Sequence, residues 1–163
     1  MGPVIDYASM EHVAMEARPY PTYVLEGATS ALTLFSAAFM GHNEAIHFAL
    51  EGIKTTCVDI DCEKLEVMAN VYPEEWTFVC EDAWEFAKRH AEKGDKWDIV
   101  GVDTFRGNAT ERSLRTLNLW CTIANKAVIA TLELDQQYAI PKGWKAHHFQ
   151  RNSEVFWLVL THE

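Results

Sequence analysis

The hydrophobic and polar positions between residues 54 and 102 alternate between short apolar runs and longer segments of helical periodicity. The runs are rich in β-branched and aromatic residues, a pattern typical of buried strands. Three strands are predicted in this way: Lys54–Asp61, Trp76–Cys80 and Trp97–Val102. The segments between them predict helices over residues 61–72 and 84–92. Strands that alternate with helices favour a mostly parallel sheet, because each crossover returns the chain to the same edge.

The N-terminal part of the chain has a more irregular pattern. A short helix is predicted over about residues 9–17, and the prolines that follow it end it. Two apolar runs flank the turn-like stretch EGATS and both predict strands: Tyr23–Leu25 and Ala31–Phe35. A helix is predicted from His42 or Asn43 to Leu50, because Gly52 then stops it.

The C-terminal part predicts a long helix, a strand and a hairpin. Asn108, with Glu111 three residues later, has the spacing of a capping box, which predicts a helix to about Ala124. The apolar run over residues 127–132 predicts a strand. The last two strands flank a turn at Asn152-Ser153 and predict a hairpin: residues 145–150 and 155–160.

These elements predict a single α/β domain over residues 1–163, with residues 1–21 as an N-terminal helix and lead-in. The expected architecture is a Rossmann-like, doubly wound, mostly parallel sheet that ends in an antiparallel hairpin. A chain of this length can bury about two thirds of its unfolded surface in one core.

Asp59 is the carboxylate whose position most clearly predicts ligand binding. The strand before it ends in two acids, and Asp61 is placed to cap the helix that follows. Asp59 therefore has no local structural role in the pattern. Ligands of open α/β sheets bind outside the carboxyl ends of the strands, where an acid commonly accepts from a ribose diol. The alternative is that Asp59 is a solvated residue at the end of a strand.

Composition and charge narrow the set of partners. The formal net charge is −10, and residues 1–100 hold 18 acidic against 7 basic side chains. Such a chain repels phosphate backbones, which argues against tight nucleic-acid binding. No apolar run approaches the roughly 20 residues of a membrane-spanning helix, and no basic-then-apolar leader opens the chain. We therefore expect a cytoplasmic protein whose ligand at Asp59 is a small molecule rather than nucleic acid, with a homo-oligomer or a protein partner left open.

The cysteines indicate neither a disulfide framework nor a metal site. They form no CxxC pair and have no zinc-like spacing with histidine: Cys57, Cys62, Cys80 and Cys121. We expect reduced, mostly buried thiols, with Cys121 packing in its helix as a small hydrophobic residue. No metal is predicted.

The stretch LFSAAFMGHNEAIHFALEGIKTTCVDID resembles the first cofactor-binding block of class I S-adenosylmethionine-dependent methyltransferases, most of all that of the DNA cytosine-5 enzymes. WTFVCEDAWEF and WDIVGVDTF resemble the third block and the fourth strand with its catalytic tip. The closing hairpin resembles the family's final antiparallel strand. The resemblance covers about residues 32–160.

The resemblance implies a role for residues at four strand ends. Cofactor-binding positions would be Phe35, Ser36, Gly41, His42, Asn43, Asp59, Ile60, Asp82 and Ala83. Within this set, Asp59 would bind the ribose hydroxyls, Ile60 would pack on the adenine, and Asp82 would accept from the adenine amino group. Asp103 would be the catalytic residue facing the methyl group. The alternatives from the residues themselves are that Asp82 caps the next helix and that Asp103 is a strand-end acid.

This chain departs from the family in two places. Residues 37–40 read AAFM where the family has glycines, and a Cβ at such positions hinders close approach of the backbone to a ligand. The Pro-Cys nucleophile of the cytosine-5 enzymes is absent after Asp103. A second register would make TYVLEGATSA the first strand and loop. It places Glu26 and Asp59 farther apart than the roughly 20 residues of one strand-helix-strand unit.

Two functions follow from these features. In the first, the protein is an S-adenosylmethionine-dependent methyltransferase whose undetermined acceptor is a small molecule or a protein rather than DNA. In the second, it is a methyltransferase-like fold that has lost catalysis and acts as a binding or interaction module. Trp84, Phe105 and Trp144 are further candidates for ligand contact, because they lie near predicted loop mouths.

Overall fold

The computed structural model of the chain describes residues 22–36, 44–104, 108–133, 135–150 and 155–163. Seven strands form one sheet in this part of the chain: β1 (Ser30–Leu34), β2 (Lys54–Asp59), β3 (Thr77–Cys80), β4 (Trp97–Val102), β5 (Ala124–Glu133), β6 (Trp144–Gln150) and β7 (Val155–His162). The α-helices are α1 (Glu44–Leu50), α2 (Cys62–Ala69), α3 (Ala83–Lys93), α4 (Asn108–Arg115) and α5 (Leu117–Thr122).

The strand order is β3-β2-β1-β4-β5-β7-β6. Strands β1 to β5 pair in parallel, whereas β7 is antiparallel to both β5 and β6. The predicted mixed α/β sheet with an antiparallel C-terminal hairpin is confirmed. The chain runs outward from β1 to β3 and then crosses back to β4 on the other side of β1. The strand order therefore reverses between β1 and β4, and this is the position at which such sheets bind ligands.

Helices cover both faces of the sheet. One face packs against side chains of α1 and α2, including Phe48 and Met68. The opposite face packs against α3, α4 and α5, including Trp84 and Trp120. Because successive side chains of a strand point to opposite faces, Ala31 lies in the first core and Leu32 in the second. This double burial explains the almost continuous apolar runs of the central strands.

The predicted strand at residues 23–25 is wrong. Residues Thr22–Leu25 form a single turn of 3₁₀ helix. The backbone N–H of Glu26 donates to the Tyr23 carbonyl at 3.2 Å, and Gly27 turns the chain with φ +76°. The first strand is therefore Ser30–Leu34, which excludes the second register.

The predicted long helix from residue 108 is two shorter helices. The hydroxyl of Thr116 donates to the carbonyls of Arg112 (3.0 Å) and Ser113 (3.1 Å), and the Thr116 N–H donates to Ser113 (3.1 Å). Local bonds of this kind compete with the helical ladder. The second helix ends at Thr122, and Ala124 pairs with Trp97 as the start of β5.

The cysteine prediction is half wrong. Cys57 and Cys121 are free and buried, and Cys121 packs in α5 as expected. Cys62 and Cys80 form a disulfide, with 5.2 Å between their Cα atoms. Cys62 is the first residue of α2, and Cys80 pairs in register with Asp59 at the end of β3. Pairing of β2 with β3 creates this proximity, which residue spacing alone does not show.

Some predictions fall outside the described residues. These are the helix over residues 9–17, the loop positions Gly41, His42 and Asn43, Phe105 and the turn at Asn152-Ser153.

Candidate functional site

The carboxyl ends of β1, β2, β3 and β4 lie at one edge of the sheet, around its reversal point. All but the loop positions 41–43 of the predicted site lie at these ends. The structure thus brings to one edge the following residues: Phe35 and Ser36 after β1, Asp59 and Ile60 at the end of β2, Asp82 and Ala83 after β3, and Asp103 after β4.

Phe35 forms an unusual turn at the end of β1. Its φ is +61°, in the left-handed region that costs a non-glycine residue about 1–2 kcal/mol. Its ring meets the edge of Trp84 with centroids 4.9 Å apart, a favourable aromatic geometry. The turn lies at the carboxyl end of β1, beside the reversal point of the sheet.

Ser36 links β1 to β2 at the same turn. Its backbone N–H donates to the Val58 carbonyl, and its hydroxyl oxygen accepts from the Val58 N–H, both at 3.1 Å. The hydroxyl also donates to the Thr33 carbonyl at 2.6 Å. Ser36 is buried, so these contacts give it a positioning role in addition to any ligand contact.

Asp59 is half-buried at the end of β2, and its carboxylate shapes the turn that follows. Oδ1 accepts from the Asp61 N–H at 2.8 Å, and the Asp59 carbonyl accepts from the Glu81 N–H at 3.0 Å. Ile60, between the two aspartates, is 73% exposed. An exposed apolar side chain beside a strand-end carboxylate offers a flat aromatic ligand a surface to pack on.

Asp61 and Asp82 are both helix N-caps. Asp61 accepts from the Lys64 N–H at 3.2 Å, as predicted, and Asp82 accepts from the Glu85 N–H at 3.0 Å. The capping role considered for Asp82 is therefore real. A carboxylate can accept about four hydrogen bonds, so capping is compatible with a ligand contact. Ala83 is buried as the first residue of α3.

Asp103 is buried, with 1% of its surface exposed. Its Oδ1 accepts from the hydroxyl of Thr131 on β5 at 2.7 Å. The neighbouring Thr104 shares a 2.6 Å hydrogen bond with Thr110 of α4. The Asp103 carboxylate is thus buried and hydrogen-bonded to β5 rather than exposed to solvent.

The tryptophans expected at loop mouths belong to the packed interior. Trp84 and Trp144 are 6% and 8% exposed. The guanidinium of Arg112 lies 3.8 Å from the centre of the Trp84 ring, and the indole N–H donates to Thr116 at 3.3 Å. Trp84 therefore packs between Phe35 and Arg112 of α4. Arg112 is exposed to solvent.

Two buried polar side chains of α1 were not among the predicted site residues. Glu44 and His47 are 2% and 3% exposed. A Cβ at Gly101 of β4 would lie 3.1 Å from Glu44 Cγ, so Glu44 is packed tightly over β4 two residues before Asp103. The available signal was the run EAIHFAL, in which a charged and an imidazole side chain interrupt an apolar helix.

The free thiols do not provide a nucleophile. Burial raises the pKa of Cys57 and of Cys121 to about 12, so both stay protonated at neutral pH. Within the described ranges, no cluster of three metal-ligating side chains occurs, and no helix has the length and apolarity to cross a membrane.

A depression of about 390 Å³ lies between the α4–α5 junction and the segment after β5. Its lining includes Leu114, Asn118 and Tyr138. It continues into a second depression of about 460 Å³ lined by Glu111, Arg115 and residues 135–137. Polar and apolar groups are mixed along it.

The strand order, the reversal point and the antiparallel hairpin define the fold of class I S-adenosylmethionine-dependent methyltransferases. Similar solved structures include yhhF of Escherichia coli, a proposed methyltransferase, with a TM-score of 0.66, 19% identity, and coverage of 99% of this chain and 92% of that one. Human methyltransferase-like protein 13 in complex with S-adenosylhomocysteine gives a TM-score of 0.64 at 14% identity, covering 98% and 82%. SMU.776, a proposed methyltransferase also complexed with S-adenosylhomocysteine, gives 0.61 at 15% identity, covering 85% and 47%.

These likenesses establish the fold. The chain spans about half of the length of SMU.776. No protein-family model and no curated protein sequence matches the chain significantly.

Proposed function

We propose that the protein is an S-adenosylmethionine-dependent methyltransferase whose acceptor is a small molecule or a protein. The observation that carries this proposal is the gathering of Asp59, Asp82 and Asp103 at three strand ends around the reversal point. Two neighbours of the same fold hold S-adenosylhomocysteine, the product left by methyl transfer.

The adenosine half of the cofactor would lie across the ends of β2 and β3. Asp59 would accept from the ribose hydroxyls through lone pairs that its bond to Asp61 does not use. Exposed Ile60 would pack on the adenine, and Asp82, with Ala83 beside it, would accept from the adenine amino group. Phe35 and Ser36, with Gly41, His42 and Asn43, would border the methionine half.

Asp103 would orient the acceptor, or take its proton, as the methyl group moves from sulfur to the acceptor. Methyl transfer from a sulfonium needs alignment of the acceptor, the methyl group and the leaving sulfur, which positioned side chains supply. The bond from Thr131 fixes the direction of the Asp103 carboxylate. Because Asp103 is buried, the acceptor would have to enter below the protein surface at the carboxyl end of β4 to contact it.

The charge of the chain favours acceptors other than nucleic acid. A formal net charge of −10 repels phosphate backbones. A single domain over residues 1–163 and a cytoplasmic location stay predictions. Disulfides such as Cys62–Cys80 are uncommon in the cytoplasm of mesophiles.

A second candidate is a fold that has lost catalysis and binds partners instead. Two observations favour it: the run AAFM in place of glycines at residues 37–40, and the 1% exposure of Asp103. Cofactor binding separates the two candidates, since closure of the crevice abolishes it.

The test is calorimetric titration of the protein with S-adenosylhomocysteine. Asp59→Ala should weaken binding about ten-fold or more, because a hydrogen bond to a charged group contributes about 1.5–3 kcal/mol. Asp61→Asn is the matched control: it changes the neighbouring acid but keeps an N-cap oxygen, so binding should stay near that of the unchanged protein. An unchanged protein that does not bind at millimolar ligand would refute the enzyme and favour the second candidate.

A further inference from the structure

The Cys62–Cys80 disulfide lies between the two strand ends assigned to the adenosine half of the cofactor. Cys80 is the last residue of β3 and the register partner of Asp59, and Asp82 follows two residues later. Cys62 begins α2, directly after Asp59, Ile60 and Asp61. Both sulfur atoms lie 3.7 Å from the Ile60 carbonyl oxygen. The cross-link therefore encloses the turn that presents Asp59 and Ile60.

Apart from the cross-link, this turn is tied to β3 through the parallel ladder of β2 with β3, which ends at the pairing of Asp59 with Cys80. Strand β3 is four residues long, lies at an edge of the sheet, and has β2 as its neighbour. Its side chains are half-buried or exposed. The Glu81 N–H donates to the Asp59 carbonyl at 3.0 Å, and Arg89 pairs with the Glu81 carboxylate at the surface. A short edge strand held in this way can move relative to β2 when the cross-link is opened.

The disulfide is also the pair that a reductant can reach. Cys62 and Cys80 are both exposed, whereas Cys57 and Cys121 are buried. These are the four cysteines of the chain. Burial raises the pKa of the two free thiols to about 12, so they supply almost no thiolate for exchange with the disulfide. Reduction and oxidation are thereby confined to one site.

We propose that Cys62 and Cys80 are positioning residues whose disulfide holds the adenosine subsite in its binding geometry, so that reduction by a dithiol lowers cofactor affinity. This inference rests on the proposed function. One thiolate of the dithiol attacks a sulfur of the disulfide and forms a mixed disulfide, which its second thiol then displaces. Two electrons and two protons pass to the cysteine pair, and the dithiol leaves as a cyclic disulfide.

Reduction should weaken binding about three- to ten-fold. The open form must order the Asp59–Ile60 turn against β3 each time the ligand binds, and a preorganised site avoids that cost. The effect should extend to ligands that contain only the adenosine half, because the cross-link lies between Ile60 and Asp82.

The experiment measures dissociation constants of S-adenosylhomocysteine and of adenosine by calorimetry. The protein is titrated as the oxidised form, after dithiothreitol and its removal, and after reoxidation. Thiol counting in denaturant, which exposes the buried Cys57 and Cys121, should give two free thiols in the oxidised protein and four in the reduced one. The matched control is Cys62→Ser with Cys80→Ser, which should bind like the reduced protein and show no response to dithiothreitol. Circular dichroism checks that every form is folded.

The outcomes are distinct. Weaker binding on reduction that reoxidation restores, and that the double variant mimics, supports the proposal. Equal or tighter binding by the reduced protein overturns it and leaves the proposed function standing. Four free thiols in the oxidised preparation overturn it as well. Failure of both redox forms to bind S-adenosylhomocysteine overturns the proposed function and this inference together.

Discussion

The hydrogen bond between Thr131 and Asp103 connects the candidate catalytic carboxylate to β5. The Thr131 hydroxyl donates to Oδ1 at 2.7 Å, and both side chains are at most 3% exposed. Thr131→Val removes this donor while keeping the shape of the side chain. It therefore tests whether Asp103 is held in place as the structure indicates.

The expected cost follows from two opposing terms. A hydrogen bond to a charged group contributes about 1.5–3 kcal/mol, and one buried methyl in place of a hydroxyl returns roughly 1 kcal/mol. The free energy of unfolding should therefore fall by about 0.5–2 kcal/mol. With a urea slope of about 2 kcal/mol per molar, the midpoint should fall by about 0.3–1 M.

A double-mutant cycle with Asp103→Ala isolates the interaction. In that background the Thr131 hydroxyl has lost its acceptor, so Thr131→Val should be neutral or stabilising. The assay is urea unfolding followed by tryptophan fluorescence and far-ultraviolet circular dichroism. An equal cost of Thr131→Val in both backgrounds would refute the hydrogen bond as an energetic link between the two residues.

Two further predictions concern Asp82 and Asp98. Asp82→Ala should lower the free energy of unfolding by about 1 kcal/mol, because α3 loses its N-cap, whereas Asp82→Ser keeps a capping oxygen. If the carboxylate contacts adenine, titration should show weaker S-adenosylhomocysteine binding in both variants. Hydrogen bonds from Thr29, chiefly its backbone N–H, and from Asn125 hold the pKa of Asp98 below its usual value. The stabilisation is present above the unfolded pKa of about 4 and is lost as pH falls through the folded pKa. Asp98 is half-buried near the start of β4, so Asp98→Asn should cost about 1 kcal/mol at pH 7, and urea unfolding should show this difference shrinking as the pH falls below about 4. A difference that persists in acid would contradict this reasoning.

Periodicity and chain order determined the fold class. The central strands are buried on both faces, and their apolar runs are therefore visible without knowledge of the fold. Once the strands are parallel, residues that directly follow them come to one edge, which is why Asp59, Asp82 and Asp103 could be grouped from the sequence. The Asp61 cap was equally local and is confirmed.

Contacts between distant segments were decided by tertiary structure alone. The Cys62–Cys80 disulfide depends on the register of β2 with β3, and the hydrogen bond to Asp103 comes from Thr131 of β5, 28 residues away. Glu44 packs against β4 at Gly101, where the absence of a side chain leaves room for it. The interruption between α4 and α5 at Thr116 arises because the Thr116 hydroxyl competes with the backbone hydrogen bonds of the helix. Helix propensity along the sequence did not reveal this interruption. Local sequence thus specified the elements and their polar ends, whereas strand pairing and packing decided which of those ends are held, buried or cross-linked.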